Sequence, residues 1–169
     1  MANELLLEIG TEEIPARFIP PVLEEMAASF KKLMEQERIG LREVSAWGTP
    51  RRLALVARGL ASAQAEASTE IVGPPKAKAF DAAGKPTPAA QGFAKNQGVK
   101  VEELIEVDTP KGVYLAVSKR TAGRPTRERL QELLPSFILG LSFPKSMRWG
   151  SETITFARPI HWVLTRLGG

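Results

Sequence analysis

Apolar positions change their period several times along the chain, and each change marks an element. Glu4-Leu5-Leu6-Leu7-Glu8-Ile9 is an apolar run closed by Gly10; it is too short for an independent helix and reads as a buried strand. After a turn over residues 10–14, Pro20-Pro21 opens a helix, because a proline in the first turn forfeits an amide that has no partner there. Val22, Leu23, Met26, Phe30, Leu33 and Met34 then recur at three- and four-residue spacing, which predicts a helix to about Arg38 whose apolar face covers a sheet. Gly40 is expected to stop it.

Strand-like runs follow at 42–47 and 52–59, separated by Gly48-Thr49-Pro50-Arg51, and predict a hairpin. A further run near 69–72 leads into residues 74–88, rich in Pro, Gly, Ala and Lys, where an exposed connection and a division into two lobes are expected. Thr87 and Pro88 then start a short helix that ends before Gly98 and docks through Phe93. Residues 104–107 and 113–117 predict a second hairpin about Thr109-Pro110-Lys111-Gly112. Leu130, Leu133, Leu134, Phe137, Ile138 and Leu141 give a second amphipathic helix over about 125–141, kinked or split by Pro135. The last runs, 153–156 and 160–167, read as strands. The fold class expected is α+β, or a mixed α/β arrangement, with two main amphipathic helices on a largely antiparallel sheet.

Composition changes this picture little: 169 residues, 43% hydrophobic and 25% charged, describe an ordinary globular protein. The absence of cysteine excludes disulfides, thiolate metal sites and cysteine nucleophiles. Residues 1–8 carry Glu4 and only three leucines in a row, which fits neither a signal peptide nor a membrane span, and a cytoplasmic location is expected. Charge is uneven: residues 1–109 hold 13 Lys/Arg against 16 Asp/Glu, and residues 110–169 hold 10 against 3. The second stretch is the better match to a polyanion.

The chemistry that the residues permit is narrow. His161 is the sole histidine and adjoins Trp162 in a strand pattern, so no zinc cluster can be built and no catalytic histidine is proposed. No phosphate-binding glycine loop occurs. The adjacent carboxylates Glu12 and Glu13 follow the first strand; without a second positioned acid they suit a subunit contact better than acid–base work. Basic residues beside aromatics remain, namely Arg51 and Arg52 at a hairpin tip and Lys145, Arg148, Trp149, Arg158, His161 and Trp162 in a short stretch. Guanidinium groups meet phosphates and stack on bases, and an exposed ring can hold an unstacked base, so this set is the candidate RNA surface.

The opening Leu5-Leu6-Leu7-Glu8-Ile9-Gly10-Thr11-Glu12-Glu13-Ile14-Pro15 resembles the start of the beta subunit of bacterial heterotetrameric glycyl-tRNA synthetase. The likeness continues through Gly48-Thr49-Pro50-Arg51-Arg52-Leu53, Gly73-Pro74-Pro75, Gly92-Phe93-Ala94, Phe143-Pro144-Lys145-Ser146-Met147-Arg148-Trp149-Gly150 and Arg158-Pro159-Ile160-His161-Trp162. It implies that residues 1–169 are the truncated amino-terminal region of a longer subunit, without a catalytic centre, a cofactor or a metal of its own. It further implies partners: an alpha subunit that activates glycine with ATP and Mg²⁺, the remaining beta-subunit domains, and tRNA(Gly), with no membrane involved. The function expected is support of tRNA binding and subunit assembly in a glycine–tRNA ligase; a pure subunit-interaction scaffold is the alternative.

Overall fold

The computed structural model describes residues 3–81, 84–148, 151 and 153–168. In chain order its elements are β1 (Asn3–Thr11), α1 (Ile19–Gln36), β2 (Glu43–Thr49), β3 (Arg52–Leu60), β4 (Ala67–Pro75) and α2 (Lys76–Ala79). There follow α3 (Pro88–Gln97), β5 (Ile105–Thr109), β6 (Gly112–Thr121), α4 (Thr126–Leu139), the two-residue strands β7 (Met147–Arg148) and β8 (Thr155–Phe156), and β9 (Ile160–Leu167). Helices and antiparallel sheets are thus mixed in the α+β manner.

The chain divides into two compact units, residues 1–65 with 123–169, and residues 66–122. Residues 74–88, where composition suggests a division, run inside the second unit as the end of β4, α2 and the start of α3. The charge step near residue 109 does not mark a unit either. Residues 66–122 carry 8 Lys/Arg and 7 Asp/Glu, and the basic excess lies in residues 123–169, with 7 against 3.

The first unit is built on an antiparallel sheet of order β2-β3-β1-β9. Strict alternation decides its faces: Leu5, Leu7 and Ile9 of β1 pair with Ala57, Leu55 and Leu53 of β3, and all six are fully buried. Over them lie α1, through Val22, Met26, Phe30 and Met34, and α4, through Leu130, Leu134 and Ile138. Both sets recur every fourth residue, as one helical stripe requires. Phe30 and Phe137 join the helices edge to face, with centroids 5.4 Å apart. The order β1-α1-β2-β3-α4-β9, with both helices on one side, is the ferredoxin-like split βαβ arrangement, and the second unit is an insertion between β3 and α4.

Several local expectations are revised. α1 ends at Gln36, not Arg38, and Gly40 does not stop it. Arg38 itself takes the left-handed conformation (φ 54°), and the Ile39 amide donates to the Met34 carbonyl at 2.9 Å, a helix stop usually given to glycine. The first hairpin turns on two residues, Pro50 and Arg51, because pairing extends to Thr49 with Arg52. In the second, Pro110 and Lys111 make the turn and Gly112, at φ 113°, opens β6 opposite Thr109. Pro135 neither splits α4 nor ends it; it sits on the exposed face, where solvent can take the freed Gln131 carbonyl.

The insertion leaves and re-enters the first unit along two adjacent passages. The Gln64 amide donates to Arg124 O at 3.0 Å, Thr126 N to Ser62 O at 2.9 Å, and Thr126 Oγ1 to Ala61 O at 2.6 Å. A Cβ at Gly123 would lie 1.8 Å from Gln64 O, so only glycine permits this approach. Beside them Arg129 donates to Glu37 at 2.7 Å, tying the start of α4 to the end of α1, while Arg124 and Arg129 both donate to Glu132. In the second unit β4-β6-β5 form an antiparallel sheet, and Ala79, Ala90 and Leu115 are its buried centre. Thr87 precedes α3 as expected, but its hydroxyl donates to Lys78 O at 2.8 Å instead of capping the helix. The Phe93 ring rests on Gly73, where a Cβ would come within 2.5 Å of it.

Two measurements check this packing. Phe30→Ala should lower unfolding free energy by about 3–5 kcal/mol in urea denaturation, since it removes a fully buried ring shared by both helices. The hydrogen bond from the Arg124 guanidinium holds the Glu132 carboxyl below the usual carboxylate range. A lowered folded-state value adds stability above roughly pH 4.3, the ordinary glutamate value, that fades as pH falls through the lowered one. Wild type should therefore exceed Glu132→Gln in Tm at neutral pH and lose that lead on acidification; a lead independent of pH would remove the ion pair as its cause.

Candidate nucleic-acid interface

Two helices on one side of a four-stranded sheet leave its other side open. The alternation that buries Leu5, Leu7 and Ile9 turns Leu6, Glu8 and Gly10 to that open face. Register then fixes the rows across it. Trp47, Ala54, Glu8 and Leu164 form one; Ser45, Val56, Leu6 and Arg166 a second; Thr49, Arg52, Gly10 and Trp162 a third. Trp47 is 52% exposed and Trp162 41%, unusual for rings on a sheet and therefore informative.

The third row is the most ordered. Trp162 lies flat against Gly10, where a Cβ would come within 2.1 Å of its indole. The Arg52 guanidinium stands 5.4 Å from the centroid of the same ring, at cation–π range, with Nη1 3.7 Å from Glu8. The loop after β1 is laced to its surroundings by backbone bonds. Thr11 N donates to Arg51 O at 3.0 Å, Ile14 N to Pro50 O at 2.7 Å and Glu12 N to Pro159 O at 3.0 Å. These bonds bring the β2–β3 turn, residues 11–14 and the start of β9 together.

Between them lies a cleft of about 560 Å³ lined by Thr11, Glu12, Thr49, Arg51, Arg52, His161 and Trp162. His161 Nε2 is 3.0 Å from Glu12 Oε1, and Arg51 is 3.7 Å from Glu13, all four side chains being more than half exposed. Exposed pairs of this kind contribute little to stability, about 0–1 kcal/mol, and their members exchange partners readily. Thr11 is 6% exposed and its hydroxyl is buried without a hydrogen-bond partner among the described residues. Such an orphan costs about 1–3 kcal/mol, an expense the core of this unit does not require.

Of the residues expected from sequence, Arg51, Arg52 and His161 thus line one cleft with Glu12, and Glu13 adjoins it. Arg158 sits at its border, donating through Nε to Glu13 O at 3.0 Å and approaching Met147 Sδ with Nη1 at 3.9 Å. Lys145 and Arg148 are exposed on the β7 segment and do not line the cleft. Trp149 lies outside the described residues. Trp162 proves to be the central aromatic. Trp47 and Arg166 share its face, which strand alternation alone could have indicated; Thr11 and Thr49 carry no sequence signal, because only tertiary pairing brings them here. Among the described residues no group of three His, Asp or Glu could hold a metal ion, and no helix is long and apolar enough to cross a membrane.

If the Trp162 ring depends on the bare backbone at Gly10, Gly10→Ala should displace it, altering near-ultraviolet circular dichroism and lowering stability by about 1–3 kcal/mol. Combining it with Trp162→Ala should abolish the extra cost, because the clash has lost its second partner. Full additivity of the two substitutions would contradict the contact.

A sequence model of the family described as "Glycyl-tRNA synthetase beta subunit" matches residues 5–169. The chain is 52% identical over 168 residues to the glycine–tRNA ligase beta subunit of Moorella thermoacetica, covering 99% of this chain and 24% of that protein. It is 49% identical over 167 residues to that of Geobacter metallireducens (99% and 24%) and 48% identical over 169 residues to that of Syntrophus aciditrophicus (100% and 24%). The chain therefore spans about a quarter of the length of the curated relatives it matches.

Proposed function

The chain belongs to the glycyl-tRNA synthetase beta-subunit family, and we propose that its open sheet face binds tRNA(Gly) on behalf of a complex that attaches glycine to it. The observation that carries this reading is the cleft at one end of the face, where Arg51, Arg52, His161 and Trp162 converge. A half-exposed ring offers a stacking platform for an unpaired base, worth about 1–3 kcal/mol. The two arginines beside it suit flanking phosphates, which would displace the loosely held Glu8 and Glu13 carboxylates. The exposed Glu12 carboxylate offers hydrogen-bond acceptors for a base edge. Sheets with helices behind and aromatics in front are a recurrent means of holding single-stranded RNA, an analogy of architecture that supports the reading.

In this reading the cleft performs no bond-making. Activation of glycine with ATP and Mg²⁺ belongs to the partner alpha subunit, and this region contributes affinity and placement of the tRNA. A second reading is favoured by one feature: Arg51, Arg52 and His161 of the cleft each already face a carboxylate, as in a surface that docks another subunit. The two separate in the complete two-subunit enzyme. Replacing Arg51 and Arg52 by alanine should raise KM for tRNA(Gly) about tenfold or more and reduce the salt dependence of binding by one to two phosphate contacts. Glycine-dependent ATP–pyrophosphate exchange, which needs no tRNA, should be unchanged. Unaltered tRNA affinity with weakened association of the subunits would instead establish the docking surface.

A further inference from the structure

At the opposite side of the sheet from β2, β9 is an edge strand that, among the described residues, pairs with β1 alone. Eight residues long, it carries no proline and, apart from Arg166 near its end, no Lys, Arg, Asp or Glu, and Trp162, Val163 and Leu164 are all 41–47% exposed. Natural edge strands of this length are usually blunted by charge, proline or a bulge, because a row of free amides and carbonyls invites another strand. The one bulge in β9 lies at its start, opposite Gly10 and Thr11, and leaves 162–167 in regular register.

The helix-side face of the same strand is equally unfinished. α4 does not reach over β9, and between them runs a groove of about 580 Å³ with Leu5, Leu134, Ile138, Val163 and Leu167 in its walls and Arg127 at its rim. Leu139, 41% exposed, also faces it. An apolar groove beside an unpaired strand edge has the two elements of strand addition, main-chain pairing and pockets for alternate side chains.

We infer that the part of the longer beta subunit following residue 169 returns along β9 as a fifth antiparallel strand and sets apolar side chains into the groove against α4. Three observations select this occupant over a separate molecule. The family's chains are about four times as long, and the match is to their amino-terminal quarter. β9 is followed directly by Gly168 at φ 91°, whose amide is held by Glu4 O at 2.9 Å, a left-handed residue suited to reversing the chain at a hairpin. A tethered strand meets its edge at high effective concentration, so a short segment suffices where a free partner would need a larger surface. The inference does not depend on the tRNA reading, since groove and cleft lie on opposite faces of the sheet.

Hydrogen exchange on the full-length beta subunit tests this. On an open edge, alternate amides of 161–167 point to solvent and exchange fast; with a fifth strand all of them should be slow, the outward set by on the order of a hundredfold. Leu139→Asp, which places a carboxylate in the groove, should restore fast exchange at the outward amides while those of α1 stay protected. Fast–slow alternation in the isolated full-length subunit would overturn the inference. So would protection that arises only on adding the alpha subunit, or only at high protein concentration, because the occupant would then be a partner or a second copy.

Discussion

Everything in the first unit depends on the commitment of β1 to one face. Leu5, Leu7 and Ile9 are fully buried between two strands below and two helices above. At about 25 cal/mol per Å² of apolar surface, fully burying each such side chain contributes about 1.5–3 kcal/mol, and a slip of one residue would turn all three to water. That cost fixes the register with β3 and β9, and the register places Gly10 between Arg52 and Trp162. The open cleft is therefore a by-product of the closed core. A glycine at the one position where the indole must lie flat makes the two compatible.

How far the sequence reveals this follows from which interactions are local. The runs that became β1, α1, the first hairpin and α4 carry their periods openly, and their ends miss by a few residues where tertiary bonds intervene. Arg38 in a left-handed turn and Thr49 paired with Arg52 are of that kind. Pro135, a strong local signal for a kink or a split, lies on the exposed face of an α4 that it does not split. The inserted unit is invisible to periodicity. Its limits depend on Gln64 meeting Arg124 across 60 residues, whereas composition draws the eye to the Pro- and Gly-rich stretch inside it. Net charge misleads for the same reason, since the basic excess belongs to 123–169 and not to a unit.

The candidate site was legible as types and not as a place. Arginine beside aromatic residues names a chemistry, and the strand register gives it a location by joining the β2–β3 turn to the start of β9. Lys145 and Arg148 share the chemistry but not the cleft. Glu12 and Glu13, which sequence assigns to a subunit contact, stand beside His161 and Arg51, which it assigns to RNA.

Because the chain is about a quarter of its relatives' length, the proposed tRNA contact is to be tested in the full-length assembly. Ultraviolet crosslinking of tRNA(Gly) to the two-subunit ligase, followed by mapping of the attached residues, addresses it most directly. The account predicts an adduct at Trp162, lost when unlabelled tRNA(Gly) competes. Efficient crosslinking confined to other regions, with residues 160–167 unmodified, would contradict it.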